Sequence, residues 1–92
     1  MFNFFKSEPI DLTNSTIIDV RSPMEFSQGN VQNSRNIPVD QIHEHIDSLK
    51  TIPGKIVLCC ASGARSAHAT QILQRSGISN AINGGSWRNL LS

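Results

Sequence analysis

Cys60 opens the stretch Cys60-Ala61-Ser62-Gly63-Ala64-Arg65-Ser66, in which every residue between the thiol and the guanidinium is small. So light a backbone can curl and aim several N–H groups at one point, and Gly63 supplies the conformational freedom the curl needs. A sulfur atom there meets amide donors, a helix N-terminus and the Arg65 cation together, the setting that lowers a thiol pKa. The stretch therefore reads as a nucleophile, Cys60, at the mouth of a cleft. Ala61, Ser62, Gly63, Ala64, Arg65 and Ser66 are the expected substrate-binding residues around it. A pKa lowered from ~8.5 to ~6 raises the thiolate fraction at pH 7 about thirtyfold but costs about thirteenfold in intrinsic nucleophilicity. The larger gains must come from orientation and from preorganised amides facing anionic charge, each worth roughly 2.7–4 kcal/mol in comparable oxyanion sites.

Other reactive side chains have plainer roles. Cys59 precedes the nucleophile on an apolar strand and is expected to pack in the core; its Cα lies only ~3.8 Å from that of Cys60, too close for an ordinary disulfide. No metal site is expected, because there is no second cysteine pair, and His43 and His45, two residues apart, face different sides of a helix. A cation at a helix N-terminus opposes the dipole, so Arg65 needs a reason to be there, and an anion is one. Ser62 and Ser66 are expected to cap the helix or donate to the sulfur. Asp19 and Arg21 should pair within the framework, His68 should lie on a helix surface, and Trp87 should pack near the cleft.

The elements that position these residues can be read from patterning. Thr16–Val20 is a β-branched strand, and Ser22-Pro23-Met24-Glu25 combines an N-cap, proline at the first helical position and a capping-box glutamate, opening a short helix that ends at Gly29. Arg35–Pro38 is a short edge strand, and Asp40 is expected to cap a helix whose stripe is Ile42, Ile46 and Leu49. Lys55–Cys59 is apolar enough to be central. A helix follows from Ala64 or Arg65 to Ser76, closing at Gly77. Ser79–Ile82 is a further strand, Gly84-Gly85 a turn, and Ser86 the cap of a last short helix. The alternation predicts an α/β fold with a mostly parallel sheet of about five strands and helices on both faces.

Ninety-two residues, 38% of them hydrophobic, suit one compact domain spanning residues 1–92. No apolar run approaches a membrane span, and Met1–Lys6 lacks the pattern of an export leader, so a soluble cytoplasmic protein is expected. Net charge is only +1, but all seven acidic residues lie between Glu8 and Asp47. The half bearing Cys60 is expected to favour anions if that asymmetry survives folding. Scattered cations without a basic run make nucleic acid an unsuitable partner.

The Cys60–Ser66 stretch resembles the active loop of the rhodanese family of sulfurtransferases, Cys-x-x-Gly-x-Arg-Ser. Ile18–Phe26, Asn36-Ile37-Pro38 and Gly84-Gly85-Ser86-Trp87 resemble that family's other signatures in the same order. The resemblance implies a rhodanese-like fold and sulfur transfer through a Cys60 persulfide by a ping-pong route, without a cofactor. It also implies a small anionic donor such as thiosulfate and a thiol or cyanide acceptor. Asn30 stands where the family usually has His, Asn33-Ser34 where it often has Gly-Ala, and Ala61 where some members have a basic residue. The first two read as scaffold changes, whereas the neutral Ala61 implies that a thiosulfate dianion is held less tightly. Two alternatives remain at this level: a sulfur-relay domain loaded by a partner protein, and a cysteine phosphatase or arsenate reductase, whose loops generally carry five residues between Cys and Arg rather than the four here.

Overall fold

The computed structural model describes residues 12–91, so the reading of Met1–Lys6 lies outside the described residues. The elements in chain order are β1 (Ser15–Asp19), α1 (Pro23–Ser27), β2 (Arg35–Asn36), a 3-10 helix (Val39–His45) running into α2 (Ile46–Leu49), β3 (Lys55–Cys60), α3 (Ala64–Arg75), β4 (Ala81–Ser86) and a closing 3-10 helix (Trp87–Leu90). The described strands are four, near the expected five, and form one wholly parallel sheet in the order β2-β1-β3-β4.

Strand alternation divides the core into two layers. Ile18 and Val20 from the β1 segment and Ile56, Leu58 and Cys60 from β3 pack with Ile42, Leu49, Ala69 and Leu73 of the helices on one face. Ile17, Val57 and Cys59 point to the other face, against Val31, Leu90 and the partly buried Trp87. Every residue of β3 from Ile56 to Cys60 is buried, as a strand paired on both edges and covered on both faces must be.

Local chemistry explains most of the boundaries. The Ser22 hydroxyl accepts from the Glu25 N–H and the Glu25 carboxylate accepts from the Ser22 N–H, completing the expected capping box with Pro23 at the first helical position. Three expectations are corrected. Asp40 caps nothing: the segment starts after Pro38 as a 3-10 helix, since no side chain satisfies its first amides, and becomes α-helical only from Ile46. Cys60 is the last residue of β3 rather than part of the following loop. Gly84-Gly85 is not a turn; β4 runs through it with a register shift opposite Leu58 and Cys59. A Cβ on Gly84 would lie 2.7 Å from Val57 Cγ1 and 3.2 Å from the Leu58 carbonyl oxygen, so only glycine lets the shifted strand approach β3.

Candidate active site

β3 ends at Cys60 and α3 begins at Ala64, so the chain must reverse within Ala61–Gly63 at the carboxyl edge of the sheet. Gly63 takes the turn with φ +106°, a left-handed conformation that side chains disfavour. No side chain caps α3, which leaves its first amides seeking an acceptor. The sulfur fills that role. Gly63 N–H donates to Cys60 Sγ at 3.0 Å, Ser66 N–H donates at 3.4 Å, and the Ser66 hydroxyl lies 3.4 Å from the same atom. Of the two roles expected for the Ser62 hydroxyl, capping α3 or donating to the sulfur, neither is seen among the described residues.

Burial pushes the Cys60 thiol up, but the Ser66 hydroxyl and the N–H groups of Ser66, Gly63 and Ser62 outweigh it, and the net displacement is downward. Cys59, one residue earlier and on the other face, has no such donors among the described residues, and burial with the nearby Asp19 charge pushes its thiol up to about 12. Strand alternation thus places two adjacent thiols in surroundings that shift them in opposite directions. The sulfur is also deeper than the sequence suggests. Cys60 has 0% relative exposure, so it lies on the floor of its loop rather than at a mouth, facing its amides.

Arg65 does not offer a free charge to an anion. Its guanidinium makes a two-point contact with Glu25, Nη1 to Oε1 at 2.7 Å and Nη2 to Oε2 at 3.0 Å, which joins α3 to α1. The Arg65 contact and the Ser22 N–H hold Glu25 near a pKa of about 2. The charge asymmetry of the sequence is therefore cancelled at this point. Asp19 and Arg21 pair as expected: Arg21 Nη2 meets Asp19 Oδ2 at 2.7 Å, both side chains are nearly inaccessible, and Arg21 also donates to the Glu25 and Gly29 carbonyls. Arg21 lies 4.5 Å from the Trp87 ring centre, placing that indole beside the site. Ala61 is half-buried, Ala64 is exposed on the first turn of α3, and His68 lies on the exposed side of that helix.

Sequence reasoning missed Asn83. Its Oδ1 accepts from the Ser66 hydroxyl at 2.7 Å and from Gly85 N–H at 3.0 Å, while Nδ2 donates to the Gly63 carbonyl at 3.3 Å. Those donors fix which way the amide points. Ser66 has one proton for Asn83, the Gly63 carbonyl and the sulfur, so a neutral Cys60 can donate to Ser66 Oγ, whereas a thiolate draws the hydroxyl proton toward itself. The available signal was an asparagine, a poor strand former, directly before the glycine pair.

A thiol held by main-chain donors at a strand–helix junction, with this sheet order around it, can be compared with known proteins. The sequence model of the Rhodanese-like domain matches residues 6–89. The chain belongs to that family. A rhodanese-like relative, thiosulfate sulfurtransferase PspE of Escherichia coli, is 32% identical over 76 residues, covering 79% of this chain and 71% of its own length. Among solved structures, a rhodanese-related protein of Thermoplasma volcanium superposes with a TM-score of 0.72 at 36% identity, over 80% of this chain and 74% of that one. A rhodanese with anions from Escherichia coli gives a TM-score of 0.74 at 29% identity, over 82% and 89%. The rhodanese fold expected from the sequence is therefore the fold observed, and sulfurtransferases are among the relatives.

Proposed function

We propose that this rhodanese-like domain is a sulfurtransferase that carries sulfane sulfur on Cys60. The observation that carries the reading is the set of donors converging on one sulfur atom, Gly63 N–H at 3.0 Å and Ser66 N–H and hydroxyl at 3.4 Å. Cys60 thiolate attacks the outer sulfur of thiosulfate; the new S–S bond forms as the old one breaks, and its electron pair leaves on sulfite. The resulting persulfide anion occupies the place of the thiolate, and the same N–H groups hold its charge. Cyanide or a thiolate then attacks the terminal sulfur, and Cys60 thiolate departs. In this reading Ala61, Ser62, Gly63, Ala64, Arg65 and Ser66 form the cradle, with Gly63 and Ser66 the direct donors and Arg65 holding the loop to α1 through Glu25. No cofactor takes part, and residues 1–92 act as one cytoplasmic unit.

Support comes from the relative named as a thiosulfate sulfurtransferase and from the related structure described with anions. Only four residues separate Cys60 from Arg65, a ring that suits a persulfide better than a tetrahedral phosphate or arsenate. Saturable thiosulfate:cyanide turnover that vanishes in Cys60→Ser is the expected result; turnover retained in that variant, or hydrolysis of a phenyl phosphate without sulfur transfer, overturns the proposal. A second reading, a relay domain loaded by a partner, draws on the neutral Ala61 and the occupied Arg65, which leave little charge in the loop for a free dianion. Persulfidation by a cysteine desulfurase but not by thiosulfate is the result that reading requires.

A further inference from the structure

Of the asparagines in the chain, only Asn83 is followed by glycine. An asparagine side chain and the peptide nitrogen that follows it can close a succinimide ring, and glycine, lacking a side chain, obstructs that approach least. The fold adds to this local chemistry. Gly84 sits at the register shift between the pairs Leu58–Asn83 and Cys59–Gly85, the residue that a bulge leaves without a partner in the ladder. Asn83 Oδ1 accepts from Gly85 N–H at 3.0 Å, two residues on, a contact that folds the side chain over the intervening Gly84 peptide. The same oxygen accepts from the Ser66 hydroxyl at 2.7 Å. Two donors on one amide oxygen draw electrons from Cγ and face the charge which that oxygen gains when a nucleophile adds to the carbon. Asn83 is exposed, so water and hydroxide reach it.

We propose that Asn83-Gly84 is a self-modifying site: Asn83 deamidates through a succinimide, and the product suppresses the reactivity of Cys60. Hydroxide takes the Gly84 amide proton and the nitrogen adds to Asn83 Cγ. The Cγ–Nδ2 bond then breaks, and ammonia leaves with a proton from water. A water molecule opens the ring at either carbonyl, giving aspartate or isoaspartate. Aspartate puts a carboxylate against the Ser66 hydroxyl, which draws that proton away from the sulfur and adds negative charge beside it. Isoaspartate lengthens the main chain at Gly84, where even a Cβ would lie 2.7 Å from Val57 Cγ1. Both products lose the Nδ2 donor to the Gly63 carbonyl, which holds the turn of the loop. The inference concerns the reactivity of the thiol and does not depend on what Cys60 carries.

The test is incubation of the folded, full chain at mildly alkaline pH under reducing conditions, sampled over time. Peptide mapping by mass follows each asparagine, and iodoacetamide at neutral pH follows Cys60. Asn83 should convert before the exposed Asn30 and Asn89, and the fraction of fast-reacting Cys60 should fall in step with it. Asn83→Gln, whose longer side chain disfavours this ring, should keep its own starting Cys60 reactivity through the same incubation. In Cys60→Ala, where no thiolate competes for the Ser66 proton, adding Ser66→Ala removes one donor from Oδ1 and should slow conversion severalfold. A site that reacts only in opened chains would not slow. An Asn83 amide that outlasts Asn30 and Asn89 overturns the proposal. So does a rate undiminished by Ser66→Ala, or Cys60 reactivity that holds while Asn83 is converted.

Discussion

Cys60 and Cys59 are chemically identical residues one peptide apart, and the donors around each decide what it can do. The rate of Cys60 alkylation by iodoacetamide against pH should show a midpoint below that of an ordinary thiol, while Cys59, pushed up to about 12, stays unmodified in the folded protein. Mass mapping after alkylation checks both. Ser66→Ala removes the hydroxyl and leaves the Gly63 and Ser66 N–H donors in place, so the midpoint should move upward and alkylation at neutral pH should slow severalfold. Asn83→Asp should act in the same direction for another reason: a carboxylate competes more strongly than the amide for the Ser66 proton and adds negative charge near the sulfur. A midpoint unmoved in Asn83→Asp would remove Asn83 from the account.

Among the elements, α1 has no fully buried residue, so its capping box and the Glu25–Arg65 contact hold it in place rather than core packing. Because the folded pKa of Glu25 is depressed from 4.5 to about 2, its stabilising effect is complete above the unfolded value and is lost as pH falls from 4.5 toward 2. Glu25→Gln should flatten that part of the stability–pH curve, as read by denaturant unfolding at successive pH values, with a modest effect because the pair is more than a third exposed. In β4, Gly84→Ala forces a methyl against Val57 and should cost about 1–3 kcal/mol. Much of this arrangement was legible in the sequence: the continuous apolar run of β3 marked a central strand, and Ser22, Pro23 and Glu25 marked a helix start. The loop was legible as a cradle because its small residues and glycine admit few other shapes. What was not legible depended on partners distant in sequence. Nothing in Arg65 announces a carboxylate forty residues earlier, and nothing in Gly84-Gly85 distinguishes a turn from a bulge until Val57 lies beneath it. Asp40 misled because its local cap signal was overridden by tertiary packing of the Ile42 and Leu49 stripe.

For the molecule as a whole, the parallel sheet buries its middle strand to set the thiol at a carboxyl edge, so core and site share residues. Leu58 lies two positions before Cys60 on the same face with no exposed surface, and Leu58→Ala should destabilise by about 2–5 kcal/mol in equilibrium unfolding. Asp19→Asn leaves the buried Arg21 charge without its partner and should cost about 3–5 kcal/mol. Both variants, where still folded, should keep a reactive Cys60, since neither donates to its sulfur. The central claim concerns what that sulfur carries. Intact mass of the protein after thiosulfate, and again after cyanide, tests it most directly. The account predicts the gain of one sulfur atom in the first step, absent in Cys60→Ser, and its loss in the second; an unchanged mass, or a gain that survives Cys60→Ser, contradicts it.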